Sequence, residues 1–213
     1  MTPARRPSVA LLDYGMGNLH SVGKALEVAG ADVTTTSKPD GLDRAEALVL
    51  PGVGAFPRAM ERLADLGLDR ATLRAVAEGR PLLGICLGLQ LLFEYSEEQG
   101  GSQGLGILPG RVTGLEADGL KVPHIGWARV DWTGDSSLNA DIPNGEAFYF
   151  VHSFVVQPDP ADRLASATYG SPFTCAAGRE GIYGVQFHPE KSSEAGLRLL
   201  SNFVDSVAGR PDR

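Results

Sequence analysis

Pro81-Leu82-Leu83-Gly84-Ile85-Cys86-Leu87-Gly88-Leu89-Gln90-Leu91-Leu92 is the stretch that decides how this chain folds. Residues 81–85 are a short apolar run and read as a buried strand, while residues 87–94 read as the opening of a helix. Between them stands Gly84-x-Cys86-x-Gly88, the pattern of a nucleophile elbow with cysteine in place of serine. A sharp strand-to-helix turn crowds the residues flanking the nucleophile, and glycine, lacking Cβ, relieves that crowding. The turn would lift the Cys86 sulfur out at the C-terminal edge of a sheet. It would also place it at a helix N-terminus, where partial positive charge suits a nucleophilic sulfur. A buried packing cysteine satisfies the same pattern, because cysteine is among the residues most often found in cores. The rest of the chain has to choose.

Working outward, Val9-Ala10-Leu11-Leu12 is a continuous apolar run ending at Asp13, as in a strand buried on both faces. A loop, Gly15-Met16-Gly17-Asn18, leads into Leu19, Val22, Ala25, Leu26 and Ala29 at helical spacing, and Gly30 stops that helix. The Gly-x-Gly tempts toward a dinucleotide site, but His20 stands at the third glycine position and the fingerprint fails. Residues 33–36 read as a second strand and Ala47-Leu48-Val49-Leu50 as a third, running into Pro51-Gly52-Val53-Gly54. Helical patterns follow through Met60, Leu63 and Leu66, then Leu73 and Val76. Alternating strands and helices of this kind predict a parallel sheet.

After Gly100 the texture changes. Residues 106–114, 121–132, 148–151, 153–156, 164–168 and 173–176 read as strands in hairpins or meanders, and residues 182–187 as a strand ending at His188-Pro189-Glu190. A last helix carries Leu197, Leu200, Phe203, Val204 and Val207 on one face, with Ser192 or Ser193 as its N-cap. The expected fold is α/β: a doubly wound, mainly parallel sheet flanked by helices, with an added antiparallel β layer in the second half. No repeat or linker divides the chain, which predicts one domain over residues 1–213 with its core at about 8–208.

Composition narrows the function. The chain has 213 residues, 43% hydrophobic and 21% charged, an ordinary globular balance. Its net charge of −7, with no basic tract, argues against nucleic acid or an anionic membrane as the main partner. Two cysteines, Cys86 and Cys175, make no disulfide framework, and no Cys/His spacing resembles a zinc site. The start, residues 2–8, is basic, but the apolar run behind it is too short for a signal-peptide core. No stretch is long enough to span a bilayer. A cytoplasmic protein is expected.

A cysteine nucleophile needs a base, and the base needs an orienting group. His188 and Glu190 are two apart in a segment that Pro189 keeps extended, so their side chains point the same way. By itself His-Pro-Glu also suits a solvated turn. An oxyanion hole needs two N–H donors: the residue after the nucleophile, Leu87, and a loop at a neighbouring strand end, for which Pro51-Gly52-Val53-Gly54 is placed. Three such signals at strand C-terminal ends of one sheet reinforce each other, because ligand sites lie there.

In the contexts Gly-Ile-Cys-Leu-Gly-Leu-Gln and Gln-Phe-His-Pro-Glu-Lys, the residues Cys86, His188 and Glu190 resemble the triad of class I glutamine amidotransferases. Further motifs resemble, within that family, the glutaminase subunits of imidazole glycerol phosphate synthase. They are Asp13-Tyr14-Gly15-Met16-Gly17-Asn18-Leu19, Pro51-Gly52-Val53-Gly54-Ala55-Phe56, Leu91-Leu92-Phe93-Glu94, His124-Ile125-Gly126-Trp127 and Tyr149-Phe150-Val151-His152-Ser153-Phe154. The resemblance covers residues 9–207. One departure is Ala128, where the family usually carries asparagine.

The resemblance implies a glutaminase that needs no cofactor and no metal. Cys86 would be the nucleophile, His188 and Glu190 its base and orienter, and the Val53 and Leu87 N–H groups the oxyanion hole. Gly52, Gly54, Gln90, Glu98, His152, Ser153 and Phe154 would bind glutamine. Asn18, Pro123, His124, Trp127, Tyr149 and Lys191 would face the partner, a (β/α)₈ cyclase subunit that receives the ammonia in a heterodimer. Other readings remain open on the residues alone. A cysteine peptidase or thioesterase would use a similar elbow but leaves the paired glycine motifs unexplained. A binding subunit that has lost its chemistry would be expected to lack a triad member, and a glutaminase of another pathway would share the triad.

Overall fold

The computed structural model describes residues 5–179 and 181–209, so residues 2–4 of the basic N-terminal stretch lie outside the described residues. The first half runs β1 (Ser8–Leu12), α1 (Leu19–Val28), β2 (Asp32–Thr36), α2 (Pro39–Asp43), β3 (Ala47–Gly52), α3 (Phe56–Leu66), α4 (Leu68–Ala77), β4 (Leu82–Cys86) and α5 (Leu87–Leu91). The second runs β5 (Phe93–Ser96), β6 (Ser102–Gln103), β7 (Leu108–Gly114), β8 (His124–Trp132), β9 (Glu146–His152), β10 (Phe154–Pro158), β11 (Arg163–Tyr169), β12 (Ser171–Arg179), β13 (Ile182–Val185) and α6 (Ser193–Ala208).

Strand side chains alternate between faces, and here the alternation feeds two cores. Val9 and Leu11 of β1, Ala47 and Val49 of β3, and Leu83 and Ile85 of β4 pack with α1 and α6 on one face. Ala10 and Leu12, Leu48 and Leu50, and Leu82 pack with α3 and α4 on the other. That is why these strands are continuous apolar runs rather than alternating ones. The sheet order is β2-β1-β3-β4-β13-β12-β10-β7-β5-β6, with β11 joining β12 to β8 and β9 pairing β8. From β2 to β13 all neighbours are parallel, and β13–β12–β10–β7 are antiparallel. Much of the antiparallel part thus extends the same sheet, while Val130, Phe148, Phe150 and Ala165 of β8, β9 and β11 add to the α1–α6 core.

One expectation is corrected, and another holds in position but not in its bond. The helix after Cys86 ends at Leu91 rather than running through residue 94, and Phe93–Ser96 is a strand. The Leu92 N–H closes on Leu89, and the carbonyls of Leu91 and Leu92 are then taken by the N–H groups of Leu105, Ile107 and Leu108 at 2.8–2.9 Å. A helix whose carbonyls are already claimed from outside cannot continue. At the other end, Ser192 occupies the N-cap of α6 but makes no capping bond; its hydroxyl turns back to donate to the His188 carbonyl.

Candidate active site

The elbow forms as the glycines require. A Cβ on Gly84 would sit 2.7 Å from the Gly88 carbonyl, and one on Gly88 would run into the Leu50 carbonyl of β3. The turn holds Cys86 at φ 56°, ψ −110°, a backbone conformation that residues other than glycine rarely adopt. Cys86 is paired with Gly52 across the parallel β3–β4 ladder, so the Val53 loop and Cys86 leave the sheet at one level. Leu87 begins α5, where the first N–H groups have no intrahelical partner. Strand β13 flanks β4 on its other side in register Val185–Ile85, which brings the chain past Gln186 and Phe187 to His188.

His188 and Cys86 line the same cavity, and His188 Nδ1 pairs with Glu190 Oε1 at 2.9 Å. Burial pulls the imidazole pKa down, but the bonds and charges of Cys86 and Glu190 outweigh it and raise it to about 9. Glu190 is itself buried, and its Oε2 has no partner among the described residues. The histidine backbone is clamped to β9. Its N–H donates to the Tyr149 carbonyl at 2.9 Å, and Ser192 Oγ bridges the His188 carbonyl (2.6 Å) and the Tyr149 N–H (3.0 Å).

Beside the triad opens a cavity of about 280 Å³ lined by Val53, Gly54, Cys86, Leu87, Gln90, Glu98, Pro123, His152, Ser153, Phe154, His188 and Lys191, with Val151. That volume accommodates a small amino acid. Of the residues expected to bind glutamine, all but Gly52 line it. Gly52 lies beneath, where a Cβ would strike the Tyr14 hydroxyl. Tyr14 is buried, its pKa is raised by burial and then by the charge of Cys86, and it donates to the Pro51 carbonyl at 2.7 Å. Glu98 Oε2 accepts the Phe56 N–H at 2.8 Å, which fixes its carboxylate at the cavity edge.

The residues expected at a partner interface divide. Trp127 is 53% exposed, meets Tyr149 edge-on with centroids 5.9 Å apart, and Lys191 Nζ stands 5.8 Å from the Tyr149 ring. Asn18 and Pro123 are exposed, Asn18 capping α1 by accepting the Ser21 N–H. His124 is not at the rim: it is 2% exposed, stacked between Phe150 and Tyr169. Alternation explains this, because along β8 His124 and Trp127 fall on opposite faces. Ala128 shares the inner face with His124 and packs on the core, away from the rim. His124 Nδ1 instead meets His152 Nε2 at 3.1 Å. Burial, with repulsion from His124 and His188, lowers the pKa of His152 to about 4 against the pull of the Phe154 carbonyl. Among the described residues no cluster of His, Cys, Asp and Glu is built to hold a metal ion, and no helix is long and apolar enough to cross a membrane.

Residues to which the sequence assigns no part in the site are Tyr14, Ser192 and above all Gln186. Gln186 is fully buried, and its Nε2 lies 3.7 Å from Cys86 Sγ. Its signal was a polar residue inside an apolar strand, two positions before His188.

A cysteine on a strained elbow, beside a histidine held by a buried carboxylate at the end of a parallel sheet, defines a thiol-nucleophile acyl-transfer enzyme. The chain belongs to the family "Glutamine amidotransferase class-I", whose model matches residues 10–207. It is 51% identical over 211 residues to the imidazole glycerol phosphate synthase subunit HisH of Gloeobacter violaceus, covering 97% of this chain and 93% of that one. The protein of the same name from Methylococcus capsulatus is 50% identical over 208 residues, covering 92% and 95%. Among solved structures, PurLQS from Thermotoga maritima matches with a TM-score of 0.75 at 18% identity, covering 95% of this chain and 99% of that one, a likeness of fold.

Proposed function

We propose that this chain is the glutaminase subunit of an imidazole glycerol phosphate synthase. It hydrolyses the side-chain amide of glutamine and passes the ammonia to a (β/α)₈ cyclase subunit in histidine biosynthesis. The observation that carries the reading is the Cys86–His188–Glu190 array opening into an amino-acid-sized cavity. Cys86 sulfur attacks the δ-carbonyl of glutamine, and the N–H groups of Leu87 and Val53 receive the oxyanion, a contribution of roughly 3–4 kcal/mol per donor. With its pKa raised to about 9, His188 holds a proton at neutral pH. It gives that proton to the departing ammonia, then takes one from the water that cleaves the γ-glutamyl thioester. Glu190 keeps Nδ1 protonated so that Nε2 does this work.

Gln90, Glu98 and the 152–154 segment hold the amino-acid end of the substrate. The Trp127–Tyr149–Lys191 rim, with Asn18 and Pro123, receives the cyclase, and the enzyme works in the cytoplasm. The test is glutamate release with and without a candidate cyclase subunit. Cys86→Ala should abolish it, while the cyclase still turns over on ammonium salts. Near wild-type glutamine turnover in Cys86→Ala would end this reading.

A further inference from the structure

The hydrogen bonds around Gln186 have a direction that can be fixed link by link. A backbone carbonyl only accepts, so the Gln90 atom 3.2 Å from the Phe154 carbonyl is the amide nitrogen. Its second hydrogen goes to Gln186, 3.0 Å away, which must therefore present Oε1. The nitrogen of Gln186 is then the atom facing Cys86 Sγ at 3.7 Å. The anchor of the chain is itself held: the Phe154 carbonyl also accepts from His152 Nδ1 at 3.0 Å. With Nδ1 donating, His152 Nε2 accepts from His124 Nδ1. Both hydrogens of the Gln90 nitrogen are thus spent inside the protein. Its carbonyl oxygen is what remains for a ligand in the cavity that Gln90 lines.

We infer that Gln186 is a positioning residue with two separable arms: its carbonyl sets the orientation of Gln90 toward the substrate, and its N–H donates to the Cys86 sulfur. The first arm makes Gln90 an acceptor for a substrate N–H, such as the α-ammonium group of an amino acid. The second favours the sulfur in its anionic, attacking form. Its location allows both at once, because Gln186 follows directly on β13, between β4 and β12, and is buried with no access to water. This rests on glutamine being the substrate, as proposed above.

Two near-isosteric substitutions separate the arms. Gln186→Glu keeps an oxygen for Gln90 but turns a second acceptor, with negative charge, toward the sulfur. Its kcat should fall by about 10- to 100-fold, the range for a lost hydrogen bond to a charged group, while KM for glutamine stays within about twofold. Gln186→Met removes both arms, so KM should rise by about 5- to 10-fold as well. Gln90→Met should reproduce only the KM change, and its effect should not add to that of Gln186→Met. Gln186→Asn, a milder change that retracts both arms, should shift kcat and KM in the same sense as Gln186→Met. All are assayed with the cyclase partner present, and thermal melts establish that each variant is folded. A folded Gln186→Glu with wild-type kcat, or equal kinetics in all Gln186 variants and wild type, overturns the inference. A wild-type complex that releases no glutamate overturns the substrate reading instead.

Discussion

Cys86 sits where the backbone resists any side chain, and that resistance can be measured. At φ 56°, ψ −110° a non-glycine residue carries strain on the order of 1–3 kcal/mol. Replacing Cys86 by alanine keeps a Cβ and so keeps the strain, whereas glycine relieves it. Glycine also loosens the unfolded chain, which offsets about 0.4–1 kcal/mol of the gain. The expected balance is Cys86→Gly more stable than Cys86→Ala by about 1 kcal/mol or somewhat more. For a chain of this length that is roughly 2–4 °C in Tm per kcal/mol. Thermal melts and urea midpoints at unchanged m-value read the difference. Cys175 supplies the control, being fully buried in the ordinary strand β12. There Cys175→Gly should melt below Cys175→Ala, since glycine in a strand costs about 0.5–1 kcal/mol. If Cys86→Gly melts no higher than Cys86→Ala while the control behaves as stated, the elbow stores no strain and the reasoning fails. A positive result would mean that the fold gives up stability to aim the sulfur, since both variants lack it and neither is expected to hydrolyse glutamine.

Glu190→Gln should let burial pull His188 down from its pKa of about 9, moving the basic limb of the kcat/KM profile to lower pH. Because the folded-state pKa is raised above the unfolded value, the linked stability is fully present below about pH 6.5 and lost as pH rises through about 9. The melting advantage of wild type over Glu190→Gln should therefore shrink across that window, and a constant difference would contradict the assignment. Trp127→Ala should weaken the complex with the cyclase by about 2 kcal/mol, roughly 30-fold in Kd, if it anchors the interface. Calorimetric titration reads this, with the melt of the isolated chain unchanged.

What the sequence disclosed follows from where its signals arise. Strands β1, β3 and β4 are legible because burial on both faces leaves unbroken apolar runs bounded by Pro and Gly. The triad is legible because its members sit in short, local contexts. The strand β5 follows directly on a leucine run that also suits a helix, and what decides it is the backbone of residues 104–108, which no local pattern announces. Helix α2 is five residues of Pro-Asp-Gly-Leu-Asp, indistinguishable from a turn. His124 was misplaced although strand parity already separated it from Trp127. Gln186 acquires its meaning from Gln90, Phe154 and Cys86, three partners far apart in sequence.

The place of β13 bears on how the protein is made. It lies between β4 and β12, in register with a strand 100 positions earlier. During synthesis at about 5–20 residues per second, the Leu82–Cys86 edge waits on the order of 5–20 s for its neighbour. Through that interval the nascent chain carries Cys86 without His188, Glu190 or Gln186. The same delay leaves an apolar strand edge unpaired while the ribosome works, which makes this edge a point where the nascent chain needs shelter from aggregation.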